Sequence, residues 1–229
     1  MQPSTHIGQI RRVSPGRLVN ASRADRDNTD PLSQSIQLMG AMMAYPRDTE
    51  IFGEKEPADY LYKVVSGSVR TYKILSDGRR QVGGFYLPGD IFGLEFSDEH
   101  TLSAEAISDA KVLVVKRSAL SALARRDPSV AQQLFALTGR ELHRVQDRIL
   151  LLIKNARERV ASFLLEMAER ASENNTIELP MSRQDIADYL GLTIETVSRT
   201  LTSLETASAI EVSPSSRRIV LRNRAALAS

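Results

Sequence analysis

Three polar side chains near the C-terminus, Glu195, Ser198 and Arg199, are of types that can read the edges of base pairs. An arginine donates two hydrogen bonds to guanine, a glutamate accepts from the amino group of cytosine, and a serine can contact thymine. Their spacing of three and four residues places all three on one side of a helix. The alternative is that Glu195 and Arg199 only pair with each other on a solvated helix, because opposite charges four residues apart often do so.

The residues around this face favour DNA because they predict a helix-turn-helix. Ser182 and Asp185 predict a reciprocal cap at the start of a first helix, and Gly191 predicts the left-handed turn that ends it. Thr193 predicts the cap of a second helix that runs to position 206. Small and apolar side chains occur where two helices cross after a short turn. The residues predicted to hold these two helices together are Ile186, Ala187, Leu190, Val197, Leu201 and Leu204.

Composition excludes several kinds of chemistry. The chain has 229 residues, 42% hydrophobic and 25% charged, which is ordinary for a soluble globular protein of two domains. It has no cysteine, which excludes disulfides, thiolate metal sites and cysteine nucleophiles and fits a reducing compartment. Its three histidines are scattered, so we predict surface residues rather than metal ligands. We recognise no nucleophile with a base and no phosphate-binding glycine loop, and therefore expect a protein that is not an enzyme.

Charge and hydropathy indicate the cellular compartment in which the protein works. The net charge of +2 does not by itself indicate a nucleic-acid partner. The longest strongly apolar run, Ile149 to Ile153, is too short to cross a bilayer, and the N-terminus has no continuous apolar signal segment. We therefore expect a cytoplasmic protein with no membrane partner.

The first half of the chain predicts an arm followed by a sheet domain. Residues 1–30 have few large apolar side chains and are predicted to be a flexible arm. Residues 31–127 are predicted to form the domain: a short helix, then an antiparallel barrel or sandwich, since the apolar period shortens to two and turn residues recur. Asp77-Gly78 is its clearest hairpin turn. The helix is predicted to place these residues in the core: Leu32, Ile36, Met39, Met42 and Met43.

Residues 128–154 predict a long helix that pairs with a second copy of itself. Apolar residues recur at heptad steps over three heptads without a charge among them, which is typical of a helix-helix seam. The predicted dimer residues are Phe135, Thr138, Leu142, Val145, Ile149 and Leu152. The alternative is a helix that packs only within its own chain.

Residues 155–229 predict a winged helix-turn-helix. A supporting helix from position 155 to about 171 precedes the two helices, and the segments 209–212 and 218–221 predict the hairpin wing. After Glu211 the tail has no carboxylate and carries four arginines, which predict a phosphate clamp or, alternatively, a solvated terminus. These arginines are Arg217, Arg218, Arg222 and Arg224.

Three motifs resemble those of the cyclic AMP receptor protein/FNR (CRP/FNR) superfamily of bacterial transcription regulators. They are Tyr62-x-Val64-x-x-Gly67-x-Val69, the run Leu87-Pro88-Gly89-Asp90-Ile91-Phe92-Gly93-Leu94-Glu95, and Glu195-Thr196-Val197-Ser198-Arg199. The last motif is similar to the recognition helix of the FNR and FixK branch. The resemblance covers about residues 32 to 225 and implies an α+β fold: an N-terminal double-stranded β-roll, a long dimerisation helix and a C-terminal winged helix-turn-helix.

The resemblance also implies partners and roles. Glu195, Ser198 and Arg199 would contact bases in TTGAT-like half-sites, which a homodimer would read as an inverted repeat of double-stranded DNA. RNA polymerase would be the second partner of an activator. The family's phosphate-contacting positions, with the two wing arginines, correspond to Ser182, Arg183, Gln184, Thr193, Thr196, Arg217 and Arg218.

Departures from the family pattern argue against a cofactor. Leu102 stands where cyclic nucleotide binders have the arginine that neutralises the phosphate, and a buried phosphate without a cation is strongly unfavourable. A chain without cysteine cannot hold the iron–sulfur cluster of FNR, and none of its histidines lies in a convincing haem pocket. We therefore expect DNA binding without cyclic AMP. The alternative is a regulator gated by an unidentified small molecule in the β-roll.

Overall fold

The computed structural model describes residues 30–151, 153–171, 175–213 and 217–228. The predicted arm, apart from Asp30, and the predicted dimer residue Leu152 lie outside these residues. Asp30 belongs to the folded part, because its carboxylate caps the first helix by accepting a hydrogen bond of 2.7 Å from the backbone N–H of Ser33.

The N-terminal half is a β-roll of two four-stranded antiparallel sheets. One sheet has the strand order β1-β8-β3-β6 and the other has the order β2-β7-β4-β5. Helix α1 (Pro31–Met39) precedes them. The strands are β1 (Ala41–Tyr45), β2 (Glu50–Phe52), β3 (Tyr60–Ser66), β4 (Val69–Ile74), β5 (Arg80–Tyr86), β6 (Ile91–Phe92), β7 (Ser103–Ala106) and β8 (Ala110–Lys116).

The hairpin turn predicted at Asp77-Gly78 is confirmed. Strands β4 and β5 pair antiparallel from Val69 opposite Tyr86 to Ile74 opposite Arg80. Gly78 has a φ of 82°, a left-handed conformation that a residue without Cβ adopts at little cost. This hairpin extends from the β-roll towards the C-terminal half of the molecule.

The predicted placement of the methionines is wrong. Helix α1 ends at Met39, because the next residue, Gly40, adopts an extended backbone conformation with φ −83° and ψ 143°. Met42 and Met43 therefore belong to strand β1 at the edge of its sheet, where their exposed fractions are 52% and 46%. Only the first two apolar residues of the predicted stripe, Leu32 and Ile36, are buried.

Three helices lead from the β-roll to the C-terminal domain: α2 (Arg117–Ala124), α3 (Pro128–Leu151) and α4 (Ala156–Ala171). Helix α3 buries Val130 and Leu137 against the same core cluster as α1. Its opposite side leaves large apolar side chains more than half exposed, and Thr138 beside them is half-buried. The exposed predicted dimer residues are Phe135, Leu142, Val145 and Ile149.

The described part of the C-terminal domain contains three helices and a three-stranded sheet. Its elements are β9 (Thr176–Glu178), α5 (Arg183–Leu190), α6 (Ile194–Thr206), β10 (Ile210–Val212), β11 (Arg218–Leu221) and α7 (Arg224–Ala228). The predicted wing strands β10 and β11 pair antiparallel, and β9, which the sequence pattern did not predict, adds a third strand beside β11. The turn of the wing, residues 214–216, lies outside the described residues.

One hydrophobic cluster spans the two halves of the molecule. Val82, Phe85 and Leu87 of the β-roll belong to the same buried cluster as Phe163 and Leu164 of helix α4. The helix-turn-helix is therefore packed on the β-roll rather than tethered to it. No helix within the described ranges is both long and apolar enough to cross a membrane.

Candidate nucleic-acid interface

The first helix of the predicted motif begins with the reciprocal cap that its sequence indicates. The Ser182 hydroxyl accepts a hydrogen bond of 3.1 Å from the backbone N–H of Asp185, and the Asp185 carboxylate accepts one of 2.9 Å from the backbone N–H of Ser182. Helix α5 ends at Gly191, whose φ of 64° turns the chain sharply. The predicted cap and turn are both confirmed.

The second helix is held against the first by the predicted apolar residues. The Thr193 hydroxyl accepts from the backbone N–H of Thr196 at 3.2 Å and starts helix α6. Ala187 is completely buried, which allows the two helices to cross closely. All of the predicted packing residues are buried: Ile186, Ala187, Leu190, Val197, Leu201 and Leu204.

Helix α6 presents the predicted reading face to solvent. Glu195 and Arg199 are exposed, and Ser198 is half-buried between them. The pKa of the Glu195 carboxyl is lowered, first by a hydrogen bond from its own backbone N–H, then by the Thr193 hydroxyl, with the charge of Arg199 as the smallest cause. Glu195 therefore stays ionised as a hydrogen-bond acceptor, and its pairing with Arg199 is a minor influence.

Ser198 has a partner that the sequence pattern did not indicate. The Arg183 guanidinium donates from Nη1 to the Ser198 hydroxyl at 3.3 Å, and its Nε is buried without a hydrogen-bond partner among the described residues. Arg183 is half-buried, so part of its side chain belongs to the packing between the two helices. Its Nη1 therefore lies next to the predicted reading face.

The predicted phosphate-contacting residues lie at the starts of the two helices and on the wing. Ser182, Gln184 and Thr193 are exposed at helix starts, where backbone N–H groups favour anions. Thr196 is half-buried and its hydroxyl lies 3.0 Å from that of Thr193. Arg217 and Arg218 are exposed at the beginning of β11. A cleft of about 350 Å³ is lined by Ser182, Arg183 and Arg217, which brings three of these positions together.

The basic cluster after Glu211 is smaller than its sequence suggests. The Arg222 guanidinium donates to the Glu211 carboxylate, so its charge is balanced within the wing sheet. Arg217, Arg218 and Arg224 remain exposed. The cationic surface beside helix α6 therefore depends on Arg217 and on Arg218, the first residue of β11.

Contacts with the β-roll hold helix α5 in place, and nothing in the local sequence indicated them. Arg70 donates from Nη1 and Arg80 from Nη2 to the same Asp185 oxygen, Oδ1, each at 2.7 Å. Arg80 also donates from Nε to Asp188 Oδ2 at 2.9 Å, and Gln81 donates to the backbone carbonyl of Asp188 at 2.6 Å. The partners lie 105 to 115 residues apart along the chain, beyond the reach of any local pattern.

The interior of the β-roll is filled by aromatic rings. His100 stacks on Phe52 with ring centroids 3.6 Å apart, and Tyr62 stacks on Phe92 at 5.0 Å. His100 is 1% exposed, so the prediction of a surface histidine is wrong at this position. Leu102, at the position of the cyclic nucleotide arginine, packs so close to Gly83 that a Cβ there would lie 2.5 Å from the leucine Cδ1.

Comparisons with known proteins match both halves of the chain. Residues 42–127 match the cyclic nucleotide-binding domain family and residues 158–229 match the Crp-like helix-turn-helix domain family. The chain is 50% identical over 201 residues to the nitrogen fixation regulation protein FixK of Azorhizobium caulinodans, an alignment that covers 85% of this chain and 81% of that protein. The chain belongs to the CRP/FNR family. Within this family it is a transcription regulator of the FixK type with a DNA-binding helix-turn-helix, and not an enzyme.

Two further relatives support the same placement. The regulator is 38% identical over 202 residues to the transcriptional activatory protein AadR of Rhodopseudomonas palustris, covering 86% of this chain and 82% of that one. The solved structure of FixK2 from Bradyrhizobium japonicum has a TM-score of 0.79 and 54% identity, covering 82% of this chain and 95% of that chain. The α+β fold expected from the sequence, a β-roll, a long helix and a C-terminal helix-turn-helix, is confirmed.

Proposed function

We propose that the regulator binds double-stranded DNA as a homodimer, on an inverted repeat of TTGAT-like half-sites, and activates transcription by contacting RNA polymerase. The observation that carries this proposal is the exposed face of Glu195, Ser198 and Arg199 on a helix whose opposite side is fully packed. Base-reading side chains must be accessible from solvent and fixed by packing behind them, and this helix meets both conditions. The half-site sequence follows from the E-x-x-S-R motif shared with the FNR and FixK branch. Such a regulator would work in the bacterial cytoplasm, where the chromosome lies.

The proposed dimer depends on the apolar face of α3. Phe135 is 81% exposed, and Leu142, Val145 and Ile149 are between 53% and 60% exposed in the single chain. These residues follow heptad steps, so a second copy of the helix would bury them together in one seam. Exposed apolar side chains repeated between positions 135 and 149 of this helix are costly in a monomer.

The interior of the β-roll does not fit a cyclic nucleotide. The rings of Phe52, Tyr62, Phe92 and His100 stack within it, and Leu102 offers no charge to a phosphate. Arg117, a cation on the neighbouring helix α2, donates its hydrogen bonds to the carbonyl oxygens of Ala58, Ser97 and Glu95. These observations support DNA binding that needs no cyclic AMP.

The test is DNA binding by the protein without added ligand. Fluorescence anisotropy on a TTGAT inverted repeat is expected to give binding at moderate salt that is far tighter than binding to a scrambled duplex of the same length. Arg199→Ala should cost about 1 to 3 kcal/mol for each half-site of the repeat and nothing on the scrambled duplex, because it removes a base contact and not a phosphate contact. Equal losses on both duplexes would contradict the assignment of Arg199 as a reader.

The same assay separates the proposal from a ligand-gated regulator. If the protein binds the repeat only after a small molecule is added, and that molecule also raises its melting temperature, the ligand-gated alternative is correct. If addition of cyclic AMP changes neither the melting temperature nor the affinity for the repeat, the result supports DNA binding that needs no cyclic AMP.

A further inference from the structure

The carboxylate that caps the first helix of the helix-turn-helix also anchors it to the β-roll. Asp185 accepts through Oδ2 from the backbone and hydroxyl of Ser182, at 2.9 and 2.7 Å, and through Oδ1 from Arg70 and Arg80, both at 2.7 Å. Its side chain is only 5% exposed, and that of Arg70 is 10% exposed. One buried carboxylate thus fixes both the local start of α5 and its position against another domain.

Further contacts prevent α5 from turning about this point. Arg80 bridges to a second carboxylate, Asp188, one turn along the helix, and Gln81 donates to the carbonyl of the same residue. Arg70 in turn is held by Glu105 of strand β7 at 2.8 Å. Because the contacts lie at two positions along α5, they determine its direction as well as its location.

The chemistry of these contacts favours orientation over stability. Transferring ion pairs from water into a protein interior costs about as much as their attraction returns, so buried pairs add little net stability. A guanidinium nevertheless has a rigid fork of donors, and Arg80 uses Nε and Nη2 to bond two carboxylates on successive turns. These directional bonds add an orientational constraint to the apolar packing of the adjoining cluster around Val82 and Phe85.

We infer that Arg70 and Arg80 are positioning residues for operator recognition, which set the angle between the helix-turn-helix and the β-roll and thereby the half-site spacing that a dimer accepts. This inference rests on the proposed function. In a dimer joined through α3, the distance between the two α6 helices depends on how each helix-turn-helix is attached to its own β-roll and α3. Half-site spacing is a direct readout of that distance.

The experiment compares Arg80→Ala with Arg79→Ala. Arg79 is the neighbouring arginine on the same hairpin, has a side chain 78% exposed and bonds only Asp77 among the described residues, so it is a matched control for charge. Each protein is titrated with four duplexes: the inverted repeat at its preferred spacing, the repeat lengthened by one base pair, the repeat shortened by one base pair, and a single half-site.

Arg80→Ala is expected to reduce the preference for the correct spacing by about tenfold, within the range of coupling between residues of one network. Its affinity for the single half-site should stay within about twofold of the wild-type value, because α6 itself is unchanged. Arg79→Ala should keep the wild-type preference. Arg80→Lys, which keeps the charge but loses the fork, should fall between the two.

Three results separate the possible explanations. An unchanged spacing preference in Arg80→Ala overturns the inference. An equal loss of affinity for all four duplexes also overturns it, because Arg80 would then contact phosphate or only support folding. Melting curves identify a variant that fails to fold. If Arg80→Ala does not fold, Asp188→Asn tests the same contact from its other partner. It should reduce the preference for the correct half-site spacing in the same way. A wild-type protein that binds none of the duplexes would contradict the proposed function itself.

Discussion

Arg183, near the predicted reading face, combines a predicted phosphate contact with an observed hydrogen bond to Ser198. The sequence predicts it as a phosphate contact at the start of a helix, and the cleft that it shares with Ser182 and Arg217 agrees with that role. Its Nη1 also donates to the hydroxyl of Ser198, one of the three predicted base-reading side chains. The orientation of that hydroxyl, which decides whether it can reach a base, thus depends on an arginine of the other helix.

Arg183→Ala is expected to have two measurable effects. Binding to all DNA sequences should weaken, with the slope of log affinity against log salt falling by about 2, because each protomer of the proposed dimer loses one phosphate contact. Discrimination at the base pair read by Ser198 should also decrease, and a double mutant with Ser198→Ala should lose less than the sum of the two single variants. Additive losses from the two variants would show that Arg183 acts on phosphate alone.

Local signals predicted the residues of the helix-turn-helix well. The cap between Ser182 and Asp185 and the left-handed Gly191 depend on residues a few positions apart, so they can be read from spacing. The second role of Asp185 could not be read in this way, because its partners Arg70 and Arg80 belong to another domain. Each of these arginines, taken alone in the sequence, is indistinguishable from a solvated surface charge.

At the scale of elements, helix α3 has two faces with different requirements. One face buries Val130 and Leu137 within the chain, and the other leaves Phe135, Leu142 and Ile149 to solvent. The heptad steps of the sequence predicted the exposed stripe, and the buried residues Val130 and Leu137 lie outside it. The exposure of the heptad stripe supports the dimer prediction over a helix packed only within its own chain.

Replacing Ile149 with glutamate is expected to split the dimer. A charge would be buried opposite its symmetry mate in the proposed seam, where each carboxylate would lose its hydration without gaining a partner. Sedimentation should then give the mass of a single chain, and affinity for the inverted repeat should fall about a hundredfold or more because a monomer holds only one half-site. Gln146→Glu, at an exposed position of the same helix, is the control and should leave the dimer intact. A dimer that survives the first substitution would place the seam elsewhere.

Elements with a clear apolar period were predicted, and short or interrupted elements were not. The hairpin of β4 and β5 and the wing strands follow alternation and turn residues. Strand β9 has three residues and one buried side chain, Ile177, which is too short for a period. The end of α1 was missed because Met42 and Met43 continue the helical spacing. In the structure Gly40 is extended, and the methionines pair with strand β8, about 70 residues away in sequence.

At the scale of the whole molecule, the β-roll contains a buried histidine, His100. Neither ring nitrogen of His100 has a hydrogen-bond partner among the described residues, and the nearest carboxylate oxygen, of Glu95, is 3.8 Å from Nδ1. Burial lowers the pKa of His100. The carboxylates of Glu95 and Glu56 oppose this shift, and the nearby charge of Arg117 adds to it.

This histidine should make the fold sensitive to acid. Below the ordinary pKa of histidine, about 6.5, the unfolded chain takes up a proton that the folded protein still refuses, so the free energy of unfolding falls as the pH drops. The slope attributable to one proton is at most about 1.4 kcal/mol per pH unit, and it vanishes below the folded pKa. In urea unfolding between pH 7 and pH 5, the free energy of unfolding of His100→Phe should change less with pH than that of the wild type. His143→Gln, at an exposed site, should keep the pH dependence of the wild type. If the free energy of unfolding changes with pH equally in all three proteins, other groups cause the effect.

The shared interface of the two halves has a consequence for protein engineering. Regulators with a separate sensor and output domain are attractive parts for chimeras, in which the output of one is fused to the sensor of another. Here such a graft would leave Asp185 and Asp188 facing a foreign surface, because Arg70, Arg80 and Gln81 belong to the discarded half. A working hybrid must therefore carry the matching side chains of strands β4 and β5 with the transplanted output domain.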